Sequence, residues 1–550
     1  MNRCLLVIAL GLVWVPAFAF EGCFIGNQPY AALDRLPDGS PNPRPIVDFY
    51  FDDEFTGSAN LNGMSAEVAE EVVKQALVGF QSEAGAPIFF RFAGYSPPAP
   101  SLAGRPMVVF TAADEVEDAC ESLDAVVCAS WTPAVPEMLW GKVWFIRNGP
   151  PMGDLSRGIV LHEVLHTLRM DHPDEPPCAA QWSDDKSVLG SLYFQGLTMG
   201  DKRNIRTAYG YSEQTVRWRQ SQPFGAWTWS APTSLVTELA LGPPRASNGR
   251  GRNHGVAYPV RAWGAAGRPW VRLYEDPVWL APERVTEDLS TYHSPDLAWG
   301  DNGNIRRWAV VVPTNDYREA WGPDLVVAER EEGTTTWNQS TVLNVNLRTP
   351  WAAIAHDPIS GKWVIVHLDN GSTGSAVVRV VTPGALSWHG GITMGGPWRF
   401  YRGLDVACSE RINTSTGGNC LIVGIGSNEG VDYPGPGQIV NQWFRVSGTT
   451  PISVGNASSF SIRADLPPQI AANPIGNSDP QFLISYTRSD SIDGWRKVHF
   501  RTLSDNAPFW GGLESTYTAA NDDRQYLPFS VGTHVFGGIG YHDLLYSLDY

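Results

Sequence analysis

From His254 onward one pattern recurs: an apolar strand, a turn rich in Gly, Asp and Asn, then a second apolar strand that often carries Trp. DLAWGDNGNIRRWAVVV from Asp296 and WAAIAHDPISGKWVIV from Trp351 show it most clearly. GLDVACSERINTSTGGNCLIVGI from Gly403 and PQIAANPIGNSDPQFLISY from Pro468 follow it. HGVAYPVRAWGAAGRPWVRLY from His254 and FSVGTHVFGGIGYHDLLYSL from Phe529 fit more loosely. A repeat of this kind constrains the fold strongly, because one unit cannot bury its apolar face alone and neighbours must stack. The spacing of the six units suits propeller blades and predicts a six-bladed β-propeller, with a pair of β-sandwiches as the competing architecture.

A second element follows each of the first five units: Val278-Trp279-Leu280, Thr336-Trp337, Ser387-Trp388, the segment around Pro451, and Phe509-Trp510. The sixth unit has none after it, while AWTWSAPTSLV from Ala226 precedes the first. This circular offset predicts that the leading segment completes the last blade and closes the ring, which removes free sheet edges.

Before residue 222 the pattern differs, with strand-like and helix-like segments alternating. Strands are predicted at 46–51, 88–92, 107–110, 125–131 and 142–146. Ser65 is a plausible N-cap for a helix to Phe80, whose Val68, Val72, Ala76 and Phe80 share one face. A second helix is predicted over 155–168. A third opens at Thr198, with Asp201 three residues on, and stops at Gly210.

At 550 residues the chain is too long for one core, and 43% apolar residues with 11% aromatics indicate packed globular structure. A net charge of -17 argues against nucleic acid as a partner. The apolar run Cys4–Val15 behind Asn2 and Arg3, followed by Pro16-Ala17-Phe18-Ala19, reads as a secretory signal cleaved near Ala19. The run is too short for a bilayer span, and no later stretch qualifies. The expected location is therefore extracellular. Six cysteines follow the signal, an even number that suits disulfides in an exported chain. The close pairs Cys120–Cys128 and Cys408–Cys420 are the natural candidates, leaving Cys23–Cys178.

The densest chemistry lies in LHEVLHTLRMDH, Leu161 to His172. His162 and His166 stand one helical turn apart and point the same way, while Leu161, Val164, Leu165 and Leu168 cover the other side. Two imidazoles so placed can bind one zinc ion, and Glu163 beside the first can take a proton from zinc-bound water. With His172, six residues after His166, the stretch resembles the metzincin clan of zinc endopeptidases, His-Glu-x-x-His-x-x-Gly-x-x-His. Arg169 stands where the clan has glycine. Ser187-Val188-Leu189-Gly190-Ser191 is similar to the clan's Met-turn with Leu189 in place of methionine, and 197–210 resembles its closing helix.

The resemblance covers roughly 45–210. It implies zinc on His162, His166 and His172, Glu163 as general base, and an edge strand at 125–131 that pairs with extended peptide. Ser191 stands where some relatives carry a helper tyrosine, and Cys23 could cap the zinc instead of forming a disulfide. The reading that follows is a signal peptide at 1–19, an α+β metzincin-like catalytic domain at 20–221 and an all-β propeller at 222–550. The expected function is a secreted zinc endopeptidase that cleaves protein or peptide substrates, with a carbohydrate or protein ligand on the propeller. The alternative is a secreted, lectin-like propeller protein with an inactive peptidase-like module. A propeller glycosidase lacks a paired-carboxylate signal. DNGNIRRW from Asp301 and DPISGKW from Asp357 loosely resemble the Asp-box hairpins of sialidase-like propellers, and Asp, Asn and Gly also favour tight turns by themselves.

Overall fold

The computed structural model describes residues 40, 42, 45–99 (save 79), 106–114, 127–131, 140–152, 156–170, 197, 199–210 and 214–221, and from 233 on the strands named below with their nearer turns. The first segment forms one mixed sheet of five strands: β1 (Ile46–Phe51), β2 (Phe89–Gly94), β3 (Met107–Ala113), β4 (Val127–Trp131) and β5 (Trp140–Ile146). Their order is β2-β1-β3-β5-β4, parallel throughout except that the edge strand β4 runs antiparallel to β5. Helices α1 (Asp53–Thr56), α2 (Ala66–Val78), α3 (Phe80–Ala84), α4 (Ser156–Thr167) and α5 (Met199–Tyr209) complete it.

The sheet exists because its strands are nearly continuous apolar runs, as a sheet covered on its faces requires. Phe49, Phe51, Phe92, Phe110 and Phe145 from four strands meet in one aromatic cluster with Phe55 of α1. The predicted face of α2 is buried at Val72, Ala76 and Phe80, with Val68 packed at its margin. Ser65 caps that helix, its Oγ accepting from Val68 N–H at 3.4 Å. Gly210 ends α5 at φ +86, a conformation that glycine enters without strain. Thr198 lies outside the described residues.

Six antiparallel sheets follow, each built on one of the six repeat units. The first uses His254–Arg261 and Gly267–Glu275 with the short strands Arg245–Ala246, Val278–Trp279 and Glu283–Arg284. The second runs Asp296–Asp301, Arg306–Pro313, Leu325–Glu331, Asn338–Val342, and the third Ala352–Asp357, Lys362–Leu368, Ala376–Thr382, Ser387–Met394. The fourth is led by Trp398–Cys408 and the fifth by Leu466–Ala472. The sixth joins Phe529–Phe536 and Ile539–Asp549 to Gln214–Ser221 and Thr233–Ser234. The leading strands pack side by side around an axis, second on third, third on fourth, fourth on fifth, fifth on sixth, and the sixth back on the first. The molecule is therefore mostly β, with a propeller arrangement.

The closing device is the predicted one with a larger first member. Thr233–Ser234 lies in the Ala226 segment, but the main partner of the final strand is Gln214–Ser221, paired from His542↔Ser221 to Asp549↔Gln214. Of the predicted outer elements, 278–279, 387–388 and 451 lie in fourth or accessory strands, and 336–337 stands just before one. Phe509 and Trp510 lie outside the described residues.

Tryptophans lock neighbouring sheets. Trp308 Nε1 in the second sheet donates to Glu275 of the first at 2.7 Å, and Trp363 Nε1 in the third donates to Glu329 of the second at 2.8 Å. Each carboxylate also takes a guanidinium and a backbone N–H, from Arg330 and Gly333 or from Arg307 and Gly384. A buried ring thus brings its only polar atom to a charged acceptor, and the acceptor's oxygens are shared by three donors. The Asp-box-like segments behave as turns: Asp301 Oδ1 accepts from Gly303 N–H at 2.7 Å and Asp357 Oδ1 from Ile359 N–H at 3.1 Å. Asn413 and Asn473 repeat the device in the fourth and fifth sheets. Asn413-Thr414-Ser415 fits the pattern of an N-glycosylation acceptor, but Asn413 is fully buried and so closed to glycosylation in the folded chain.

Cys408 and Cys420 form the expected disulfide between the first two strands of the fourth sheet. Cys23, Cys120 and Cys178 lie outside the described residues, as does the side chain of Cys128. Arg169 has φ +64 and ends α4 in a Schellman arrangement, with Met170 N–H on Leu165 O at 3.0 Å and Arg169 N–H on His166 O at 2.8 Å. A non-glycine residue in this region costs about 1 kcal/mol. Arg169→Gly is therefore expected to stabilise the chain by about 1 kcal/mol in chemical denaturation. An unchanged or lowered stability would mean that the arginine's own contacts outweigh the backbone strain.

Candidate functional site

Two groupings of polar side chains stand out, one legible in the sequence and one not. The legible grouping is on α4. Leu161, Val164, Leu165 and Leu168 are all buried and fix the helix against the core, which leaves His162 and His166 on the opposite side. Their Nε2 atoms approach to 3.1 Å, and their rings stand edge to face with centroids 4.7 Å apart. His166 Nδ1 lies 2.9 Å from Met170 O. A carbonyl can only accept, so Nδ1 carries the proton and Nε2 presents its lone pair. His162 is 9% exposed and Glu163 7%. His172 and Leu189 lie outside the described residues. The one trio of metal-type ligands that lies together among the described residues, Asp357 with Cys408 and Cys420, contains two sulfurs that are bonded to each other.

The second grouping is where the first segment meets the end of the propeller axis. Helix α2 docks through Gln75, whose Nε2 donates to Ala464 O at 3.1 Å and whose Oε1 accepts from Gly437 N–H at 3.3 Å. Glu71 pairs with Arg463 nearby. Glu83, at the end of α3, accepts from Arg157 at 2.7 Å, from Arg402 at 3.3 Å and from Leu197 N–H at 2.7 Å. Burial alone would raise the Glu83 carboxyl, but Arg157, Arg402 and Lys202 reverse the sign and hold it down at about 2.

These contacts enclose a cavity of about 60 Å³. From the first segment it is lined by Glu83, Lys202 and Arg206; from the propeller by Arg245, His293, Trp351, Arg402 and Gln469. Pro243-Pro244 and Leu466-Pro467 flank it, and Ser294 and Thr487 complete the polar lining. Lys202 Nζ lies 3.0 Å from His293 Nδ1. Burial, with Arg206 beside it, brings Lys202 down to about 7 against the pull of Glu83. Burial, with Lys202 and Arg206 close by, keeps His293 well below its ordinary value, so the imidazole is neutral at pH 7. His293 Nε2, Ser294 Oγ and Thr487 Oγ1 find no partner in the protein.

Two carboxylates lie beneath this cavity, at the leading strands. Asp296 accepts from Ile354 N–H and Asp405 from Ile470 N–H, each at 2.8 Å, so each ties its own sheet to the next. Burial raises Asp296 to about 6 despite Arg245. Burial and the charge of Asp296 raise Asp405 to about 7, again opposed by Arg245. No motif marks any of these residues, which come from eight separate stretches of chain. The proline pairs Pro243-Pro244 and Pro467-Pro468 are the only local signal.

No family model matches the chain, and no curated protein matches it. Among solved structures it is similar to the Trypanosoma rangeli sialidase in complex with the inhibitor DANA, at 11% identity and a TM-score of 0.33 over 59% of this chain. That match spans 57% of the sialidase's own length. It is similar also to the Aleuria aurantia lectin in complex with Fucalpha1-6GlcNAc (12% identity, TM-score 0.34, 53% of this chain and 85% of the lectin). The SapL1 lectin in complex with alpha methyl fucoside matches at 11% identity and a TM-score of 0.33, over 54% of this chain and 85% of that one.

These findings correct the expectation of a metzincin-clan endopeptidase. The solved structures named above are a sialidase and fucose-binding lectins, not zinc peptidases. Among the described residues His162 and Glu163 are nearly buried, and the described cavity lies elsewhere. The hydrolase assignment does not stand. With it fall the peptide substrate, the role of Glu163 as general base and the pairing of the β4 edge with substrate. Among the described residues the fold is a propeller arrangement joined to a mixed α/β sheet, and no α+β metzincin domain is evident.

The raised values of Asp296 and Asp405 have a consequence for stability. A group whose folded-state carboxyl sits above its unfolded value binds more protons when folded, so its contribution is lost as pH rises from about 4 through 7. Asp405→Asn keeps an oxygen for Ile470 N–H but cannot ionise. It is expected to raise the melting temperature at pH 8 and to change it little at pH 5. An equal effect at both values would show that Asp405 is not a strained buried charge.

Proposed function

We propose that this chain is a carbohydrate-binding protein on a six-bladed propeller, with its ligand site in the cavity between α3, α5 and the propeller axis. The observation that carries this reading is the pairing of an aromatic wall with unsatisfied polar groups. The ring of Trp351, half-buried at the margin, offers a face for the apolar side of a sugar ring. Around it stand the Gln469 amide, the Arg245 guanidinium, the partnerless Ser294 and Thr487 hydroxyls and the His293 imidazole. Sugar hydroxyls both donate and accept, and a buried polar atom without a partner is costly until a ligand supplies one. The test is binding of the full chain to an immobilised glycan panel. Trp351→Ala should weaken the retained glycan at least tenfold, about 1.4 kcal/mol, and Thr487→Val should weaken it less, both at an unchanged melting temperature. Binding that is equal in wild type and both variants would place the ligand elsewhere, and no binding to any glycan would remove the reading.

A second proposal concerns zinc. Two ligands of one tetrahedral zinc at about 2.0–2.1 Å stand about 3.3 Å apart. The 3.1 Å separation of the His162 and His166 Nε2 atoms fits that span. The Met170 carbonyl orients His166 as a second-layer partner does at metal sites. His162 and His166 would hold the ion with His172 as third ligand, and the ion would tie the end of α4 to the chain beyond it. Elemental analysis of purified protein should find about one zinc per chain, with His162→Ala losing it and melting at a lower temperature. A metal-free wild type, or a variant with full zinc, would overturn this.

A further inference from the structure

We infer that Lys202 is a reactive amine: its Nζ condenses with a small uncharged hydroxyaldehyde admitted to the axial cavity, and His293 carries the protons. The inference goes beyond the carbohydrate reading and does not depend on it. Lys202 lines the cavity from α5 and is 5% exposed. Among the described residues its Nζ has one hydrogen-bond partner, His293 Nδ1 at 3.0 Å. Both partners are held in place. Lys202 is fixed within a helix, and fully buried Thr291 pins the His293 backbone, its Oγ1 accepting from His293 N–H at 3.0 Å and donating to Pro313 O at 2.7 Å. A positioned nucleophile beside a ring nitrogen that can take its proton is what imine formation requires.

Electrostatics supports that chemistry. Burial, with Arg206 and Arg402 nearby, brings the ammonium to about 7 against the pull of Glu83 and Asp201, so the neutral amine is well populated near pH 7. Glu83 and Asp201 still favour a positive charge at this nitrogen, and a protonated imine preserves it where acylation would not. The ammonium passes one proton to His293 Nδ1, and the freed lone pair attacks the aldehyde carbon as the C=O π pair moves to oxygen. The oxygen takes that proton back. A second N–H proton follows the same route, the C–O bond breaks and water leaves as the nitrogen lone pair closes the C=N bond. The nitrogen keeps its third proton and the single positive charge, and nothing is oxidised or reduced. Size and lining name the substrate class. A cavity of about 60 Å³ holds about four to six waters, which suits glycolaldehyde or glyceraldehyde. The Ser294 and Thr487 hydroxyls find no partner in the protein and can meet the hydroxyls of such a molecule.

The test is reductive trapping of the full chain with glycolaldehyde and cyanoborohydride, read by peptide mass mapping over a range of pH. At pH 7 Lys202 should be alkylated roughly tenfold or more faster than half-buried Lys362. Its rate should level off just above pH 7, whereas an ordinary lysine gains rate up to about pH 10. His293→Gln should slow the labelling of Lys202 several-fold and leave that of Lys362 unchanged. Lys202 left unlabelled, or labelled no faster than Lys362, overturns the inference, as does a Lys202 rate that climbs to about pH 10. Labelling that ignores His293→Gln removes His293 as the proton carrier. Propanal as fast as glycolaldehyde removes the hydroxyaldehyde class and leaves the reactive amine. Glycan binding is measured separately, so the carbohydrate reading stands or falls apart from each of these results.

Discussion

Ring closure is the constraint on which the rest of the molecule depends. The last strand, Ile539–Asp549, pairs with Gln214–Ser221, so the sixth sheet is built from both ends of the propeller's chain. Without that pairing the first and sixth sheets would each present an open face and an open edge. Closure also fixes the first segment. Helix α5 ends at Tyr209 and the closing strand begins at Gln214, which leaves the helix no freedom to move far from the sheet. Four residues of tether hold it over the propeller, where Lys202 and Arg206 reach the cavity.

The interface so formed is polar and buried, an arrangement that ordinarily weakens a fold. Glu83 is held ionised by three cations, while Lys202, His293, Asp296 and Asp405 all shift toward their neutral forms. Apolar residues of the same size would dock the two parts at less cost. Perturbed groups gathered around a concave space, with donors left unsatisfied, are what a binding site requires and a structural interface does not. The Trp308–Glu275 and Trp363–Glu329 locks show the contrast: there each indole N–H meets a carboxylate within the protein.

Much of the fold was legible because it follows from periodicity. The six units and the closing offset correspond to six sheets, since alternating apolar residues must find a partner sheet. β1 and the end of α5 at Gly210 fall where pattern and glycine predict. The site was not legible. His-Glu-x-x-His is a local motif, and it drew the reading toward peptidase chemistry, although spacing on one helix fixes only that two imidazoles share a side. The cavity residues are single polar positions scattered from 83 to 487, and each one in its own stretch reads as an ordinary charged or turn residue. Only the docking of α3 and α5 on the leading strands brings them together. Trp351 shows the same difficulty, because Trp363 in its own unit and Trp308 in the preceding one are fully buried core.

Hydrogen–deuterium exchange on the full chain, with and without a bound glycan, tests the central claim that both parts build one site. The account predicts slowed exchange in α5 and α3 together with 242–247, 293–297 and 466–470, and nowhere else to the same degree. Protection confined to the propeller, away from α3 and α5, would contradict it: the first segment would then be a neighbour of the binding site and not its wall.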